Sequence, residues 1–354
     1  MFESVMWKYI REEPEVLENF LATNEIRTSI SRFASSEALY LMAHGSSYNA
    51  AVAIAPLISD CAAIRVYAGT PSYFRYNMHA KDLEEKARVC VMGISETGTS
   101  RGVIEALEEA KRNGFLTASI TNEHDSPIDR LSDVTFFLNC GEEHSNAKTK
   151  GYSCTLLTLI LFGIELAAYR KTIDESRRTE LIGSLKEEIQ KLNDVIDAAV
   201  AWCEENSYGK GMESLYVIGN GMHFGTAMEG QLKLMETQCI PTMFNDIVEF
   251  SHGMHRAITT SSNVILIRSP EEEELTDKTF EYLWKRKIPT VMINVSKCLE
   301  MPGVINVTPF PFTRSILLVT AVIQVISAFV PERNGTDPNR ASNNDYTDWA
   351  KTRI

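Results

Sequence analysis

The chain has no CxxC pair, and its seven cysteines (Cys61, Cys90, Cys140, Cys154, Cys203, Cys239 and Cys298) are scattered and odd in number. That pattern argues against a disulfide framework or a cysteine-based zinc site, and for reduced thiols in a cytoplasmic protein. The opening residues, MFESVMWKYIREEPEV, lack the apolar core of a signal peptide. Positive charge is scarce too. Against 47 Asp and Glu stand 35 Lys and Arg, a net charge of −12, which repels phosphate polymers and makes nucleic acid a poor partner. Two long apolar stretches, 153–168 and 315–330, fall short of the roughly 20 residues that cross a bilayer, so they read as helices buried under a sheet and no membrane partner is expected. No metal site or nucleotide motif occurs, so neither a metal nor a cofactor is expected.

What is present suits a folded enzyme. At 354 residues, 44% hydrophobic and 23% charged, the chain has material for two domains with real cores. It also repeats itself. Leu39-Tyr40-Leu41-Met42-Ala43-His44-Gly45-Ser46-Ser47 reads as an apolar strand, a glycine turn and a helix start, and Leu215-Tyr216-Val217-Ile218-Gly219-Asn220-Gly221 repeats the pattern half a chain later. In the first half a strand over 88–94, a polar loop, a helix over 101–113 and a strand over 116–121 follow. The second half has the same order at 263–268, 275–287 and 290–295. Strands alternating with helices predict parallel sheets covered on both faces. The segmentation that results is a helical lead-in over 1–33, a first domain over 34–170, a helical connector over 171–210, a second domain over 211–330 and a polar tail over 331–354.

Open parallel sheets bind ligands where strands run into helices. Two such loops in the first half are rich in hydroxyls: Gly45-Ser46-Ser47, and Ser95-Glu96-Thr97-Gly98-Thr99-Ser100. Small residues let backbone N–H groups and a helix N-terminus close around an anion, so this pattern predicts a phosphate pocket that needs no lysine. The equivalent loop of the second half, Ser269-Pro270-Glu271-Glu272-Glu273-Glu274, carries four carboxylates and would repel phosphate. One phosphate pocket per chain is expected.

At these residues the chain resembles the sugar isomerase (SIS) domain family, especially the isomerase half of glucosamine-6-phosphate synthase and the fructosamine-6-phosphate deglycases. Residues Ser95–Ser100 are similar to the family's SxSGxT loop, His44–Asn49 to CGTSYN, and Ala147-Lys148-Thr149-Lys150-Gly151-Tyr152 to STKAF. Ala227–Glu236 follows the family's ALEGALKLKE helix, and Glu249-Phe250-Ser251-His252-Gly253 follows GELKHG. The resemblance covers about residues 35–330. It implies two tandem flavodoxin-like SIS domains, each a three-layer αβα sandwich with a parallel sheet. Val248 and Met254 stand where the family has Gly and Pro, which bears on the shape of the sugar pocket. No glutaminase segment precedes residue 1 and no Cys follows Met1, so ammonia drawn from glutamine is not expected.

Glu229, Lys233 and Glu236 sit at i, i+4 and i+7, on one helix face. The resemblance implies that Glu236 shifts a proton between C1 and C2 of a sugar, that Lys233 orients it or stabilises the enolate-like oxygen, and that His252, supplied by the partner of a homodimer, opens the ring. It places Lys351 in a tail folded over the sugar, and Lys148 and Glu229 among the substrate contacts. His255 is a weaker candidate, and His44 and His223 stand at strand ends. Three functions fit: a deglycase that splits an Amadori sugar 6-phosphate into hexose 6-phosphate and amine, a stand-alone amino-sugar-phosphate isomerase or deaminase, and a sugar-phosphate sensor. Glu236 and His252 are both present, and the lead-in is too short and acidic for a DNA-binding helix pair, which places the sensor last.

Overall fold

A computed structural model describes residues 4–77 and 88–354. Strands β1 (Ala38–Ala43), β2 (Arg65–Gly69), β3 (Val89–Ile94), β4 (Leu116–Thr121) and β5 (Val134–Phe137) form a parallel sheet in the order β2-β1-β3-β4-β5. Strands β6 (Ser214–Ile218), β7 (Thr242–Asn245), β8 (Ser262–Arg268), β9 (Thr290–Asn294) and β10 (Val304–Asn306) form a second, in the order β7-β6-β8-β9-β10. The two orders are the same pattern five strands apart. Each reverses direction once, between β1 and β3 and again between β6 and β8, and the loops leaving those strands define the ligand crevice of such sheets. Every residue of β1, β3 and β8 is buried, as helices on both faces require, so these strands read as unbroken apolar runs.

The described residues form two compact units. The first comprises Val16–Glu142, Gly151–Gly183 and Ala341–Ile354. The second comprises residues up to Glu15, Glu143–Lys150 and Ser184–Arg340. The chain passes between them five times, at 15/16, 142/143, 150/151, 183/184 and 340/341, the fourth of these inside the helix Glu175–Gln190. Residues 5–15 join the second unit through polar contacts. Tyr9 Oη accepts from His144 N at 3.0 Å, Lys150 Nζ meets Glu12 Oε2 at 2.7 Å, and Gln324 Nε2 donates to Glu13 Oε1 at 2.8 Å. The core of the first unit packs Tyr40, Met42 and Val91 from the sheet, and Phe115 just before β4, against Val103 and Leu107 of the helix Arg101–Arg112. That of the second joins Tyr216, Val264, Leu266 and Met292 to Phe280 and Leu283.

The two apolar stretches become the helices Lys150–Tyr169 and Ile316–Arg333. Length and composition alone would let either cross a membrane, but 94% and 89% of their apolar windows are buried inside the protein. Phe33, Phe136 and Phe162 interlock in the first unit, and Ile316–Arg333 packs against the helices Leu192–Glu205 and Met222–Gln238 in the second. The polar tail also carries structure, with a short helix at Tyr346–Trp349.

Candidate active site

In the first unit, the loops leaving β1 and β3 come together. His44 is the extended residue before the helix Gly45–Ala62, and Gly45 follows with φ +56, a conformation that favours glycine. Ser46 and Ser47 lie half-buried in that helix's first turn, where N–H groups lack intrahelical partners. After β3, Ser95 is buried and its N–H donates to Ile120 O, and Gly98 N returns to Ser95 O. Gly98 has φ +66, and a Cβ there would stand 2.2 Å from Ser126 Oγ, so the turn requires glycine on both counts. Thr97 and Thr99 hydroxyls are 2.9 Å apart, and Ser100, the residue before the helix Arg101–Arg112, meets His44 Nδ1 through its hydroxyl at 3.3 Å. Burial holds His44 below its usual pKa, which favours the neutral ring. Glu96 is the one carboxylate of this loop. A Cβ on Gly151 would lie 2.4 Å from its carboxylate, which therefore rests on the first turn of the helix Lys150–Tyr169.

In the second unit the helix Met222–Gln238 carries the charged group. Lys233 is fully buried and Glu229 almost so, with Nζ and Oε1 2.9 Å apart. Burial alone would lower the Lys233 pKa, but Glu229, Glu143 and Glu236 outweigh it and hold the amine charged. Its Nζ also donates to the backbone carbonyl of Lys148. Glu236 is different. Water reaches its side chain, yet protein crowds the carboxyl enough that desolvation lifts its pKa to about 7, with Lys233 pulling it down and Glu229 pushing it up. A carboxyl that stays accessible and titrates near neutrality is suited to moving protons.

The loop holding Lys148 is organised by Glu143, which the sequence reading missed. Buried Glu143 Oε1 accepts from Thr149 N at 2.5 Å, Thr149 Oγ1 at 2.6 Å and Ser145 Oγ at 3.0 Å, while Lys148 Nζ folds back onto Glu143 O at 2.6 Å. No spacing rule flags such a carboxylate, because its partners, one backbone N–H and two hydroxyls, are gathered by the turn of the loop.

The remaining candidates are more dispersed. His252 is exposed in the turn after the short helix Ile247–Phe250, and its side chain makes no hydrogen bond to Glu236 or Lys233. His255 Nδ1 lies 3.3 Å from Phe250 O. His223 is buried, pushed down to about 4 by desolvation and tied to Arg314 O at 2.9 Å, a structural arrangement. Lys351 is exposed with φ +51. Among the described residues no group of three or more His, Cys, Asp or Glu is placed to hold a metal ion.

Fold and loops together define a duplicated α/β protein with a hydroxyl-rich turn at the first switch point and a buried Glu–Lys pair on the second unit's helix. Residues 32–164 and 211–297, more than half of the chain, match the SIS domain family, and the protein belongs to it. It is 26% identical over 348 residues to the glutamine–fructose-6-phosphate aminotransferase (isomerizing) of Caldanaerobacter subterraneus subsp. tengcongensis, covering 96% of this chain and 55% of that relative. The chain thus spans about half the length of the curated relatives it matches. Among solved structures, the C-terminal domain of glucosamine-fructose-6-phosphate aminotransferase from Francisella tularensis superposes with a TM-score of 0.87 at 20% identity, over 96% of this chain and 98% of that one. A Clostridium difficile 630 protein, provisionally described as a phosphosugar isomerase, gives a TM-score of 0.89 at 24% identity over 98% and 97%.

Proposed function

We propose that the protein is a sugar-phosphate enzyme, a deglycase that cleaves a fructosamine-type sugar 6-phosphate to hexose 6-phosphate and amine. Glu236 carries the reading, as an accessible carboxyl lifted to about 7 beside a charged, buried lysine. Serving as base, Glu236 takes a C1 proton from the ketoamine and returns it to C2, while the amine N–H proton passes to the C2 oxygen, so that the C2 carbonyl becomes a hydroxyl and a C1 imine forms. Water then hydrolyses the imine and releases the amine. Lys233 favours the ionised form of Glu236 and stabilises negative charge on the C2 oxygen. Ser46, Ser47, Ser95, Thr97 and Ser100 hold the 6-phosphate through hydroxyls and backbone N–H groups. His252 is exposed and unattached to the other candidates, which suits a base lent to a partner subunit in a homodimer.

A second reading, an amino-sugar-phosphate isomerase or deaminase, is supported by the similarity to the isomerizing aminotransferase and uses the same residues. One assay separates the two. The enzyme is incubated with fructoselysine, glucoselysine and fructose-aspartate 6-phosphates and with glucosamine 6-phosphate, and release of hexose phosphate or ammonia is followed. Hexose phosphate from an Amadori substrate supports the deglycase, and ammonia or fructose 6-phosphate from glucosamine 6-phosphate alone supports the second reading. Wild-type turnover by Glu236→Gln would sink both.

A further inference from the structure

We propose that Arg353 is a phosphate-binding residue, adding to the hydroxyl loop after β3 the positive charge that the loop itself lacks. The inference rests on the reading of residues 95–100 as the phosphate cradle. The last residues of the chain pair with that loop inside the first unit. Ile354 N donates to Thr99 O at 3.1 Å, Arg101 N donates to Thr352 O at 3.1 Å, and between these bonds Ser100 and Arg353 stand opposite each other as an antiparallel bridge. Flanking bonds of this kind define the pair that is not itself hydrogen-bonded. Its two Cα atoms approach to roughly 4.5 Å, and its side chains leave the same face.

The face is known from Ser100, whose hydroxyl meets His44 Nδ1 across the crevice between the ends of β1 and β3. Arg353 therefore emerges beside the hydroxyls that would hold the phosphate. It is exposed, and it makes no ion pair or side-chain hydrogen bond among the described residues. Glu96, the loop's own carboxylate, is directed at Gly151 and does not claim it. Ser126 Oγ, buried and without a hydrogen-bond partner, lies against Gly98 of the same loop, so polar capacity there is left unused. Neutral hydroxyls give geometry, whereas a guanidinium fork adds charge and paired N–H donors suited to phosphate oxygens. The tail would then add charge to the site as well as covering it.

Calorimetric titration of the full chain with fructose 6-phosphate and with inorganic phosphate tests this, using Arg353→Met, Arg353→Lys and, as a marker of the loop, Ser95→Ala. Because the backbone forms the bridge, methionine keeps the tail's pairing and removes only the charge. Arg353→Met should weaken both ligands roughly ten- to hundred-fold and flatten the salt dependence of binding, with Arg353→Lys in between. If Ser95→Ala weakens binding while Arg353→Met binds like wild type at every salt concentration, the role of Arg353 is refuted and the loop reading stands. If the wild-type protein binds neither ligand, the loop reading falls, and Arg353 with it.

Discussion

Loops at corresponding places in the two sheets have taken opposite electrostatic paths. After β3 the turn carries hydroxyls, its one carboxylate rests on a neighbouring helix, and its glycine is required by both φ and space. After β8 the turn is filled with acid. Glu271 meets Arg314 at 2.9 Å, Glu273 meets Arg268 at 2.6 Å, and Asp277 holds Arg268 from the next turn of the helix. Desolvation would raise Glu271, but a hydrogen bond from its own backbone, together with Arg314, keeps it ionised at lower pH than usual. The second loop answers its helix N-terminus with the protein's own carboxylates, whereas the first sets hydroxyls there. The two sheets share one strand order, and the buried Glu–Lys pair lies on the helix Met222–Gln238 of the second unit.

That division of labour can be broken in order of expected size. Glu236→Gln should lower kcat by about 10²–10⁴ with little change in KM, since only proton transfer is lost. In the wild type, kcat/KM should fall as pH drops below about 7, where Glu236 acquires its proton, and steady-state rates across pH check both statements. Lys233→Met leaves Glu229 buried without its cation, and denaturant unfolding should show a loss of about 3–5 kcal/mol. Thr97→Glu gives the first loop the acid of the second. It should weaken fructose 6-phosphate at least about ten-fold in titration, while Glu273→Ser in the other loop should leave that affinity unchanged.

The smallest effect sharpens the contrast from outside the site. Glu188 is fully buried at the start of Ile316–Arg333, accepting from Leu317 N and Thr313 Oγ1, and desolvation lifts it from 4.5 to about 7. Its folded pKa is raised, so its stabilising effect is complete below about pH 4.5 and is lost as pH rises through 7. Melting scans should show Glu188→Gln losing less stability than wild type, by a few degrees, across that window.

Much of this was legible in the residues alone. Period and length mark strands such as β3 and β8, and the strand–turn–helix repeat predicts parallel sheets that the structure bears out. Loop composition marks the two unlike turns. The i, i+4, i+7 spacing of Glu229, Lys233 and Glu236 places them on one face of a helix. Spacing does not reveal that Lys233 is buried while Glu236 stays accessible, because burial depends on what the rest of the fold lays over each turn. The tail reads by composition only as a polar segment, yet three of its backbone positions pair with the loop after β3.

What the sequence determined by itself is therefore local and periodic: which segments become strands and helices, which turns carry hydroxyls and which carry acid, and which side chains share a helix face. Tertiary structure alone decided the long-range matters. It drew Glu143–Lys150 to the second unit, so that a backbone carbonyl meets Lys233, and it set Arg353 opposite Ser100. The physical reason is that propensity and pattern act over a few residues. The pKa of a carboxyl and the partner of a guanidinium depend instead on atoms brought near from hundreds of residues away.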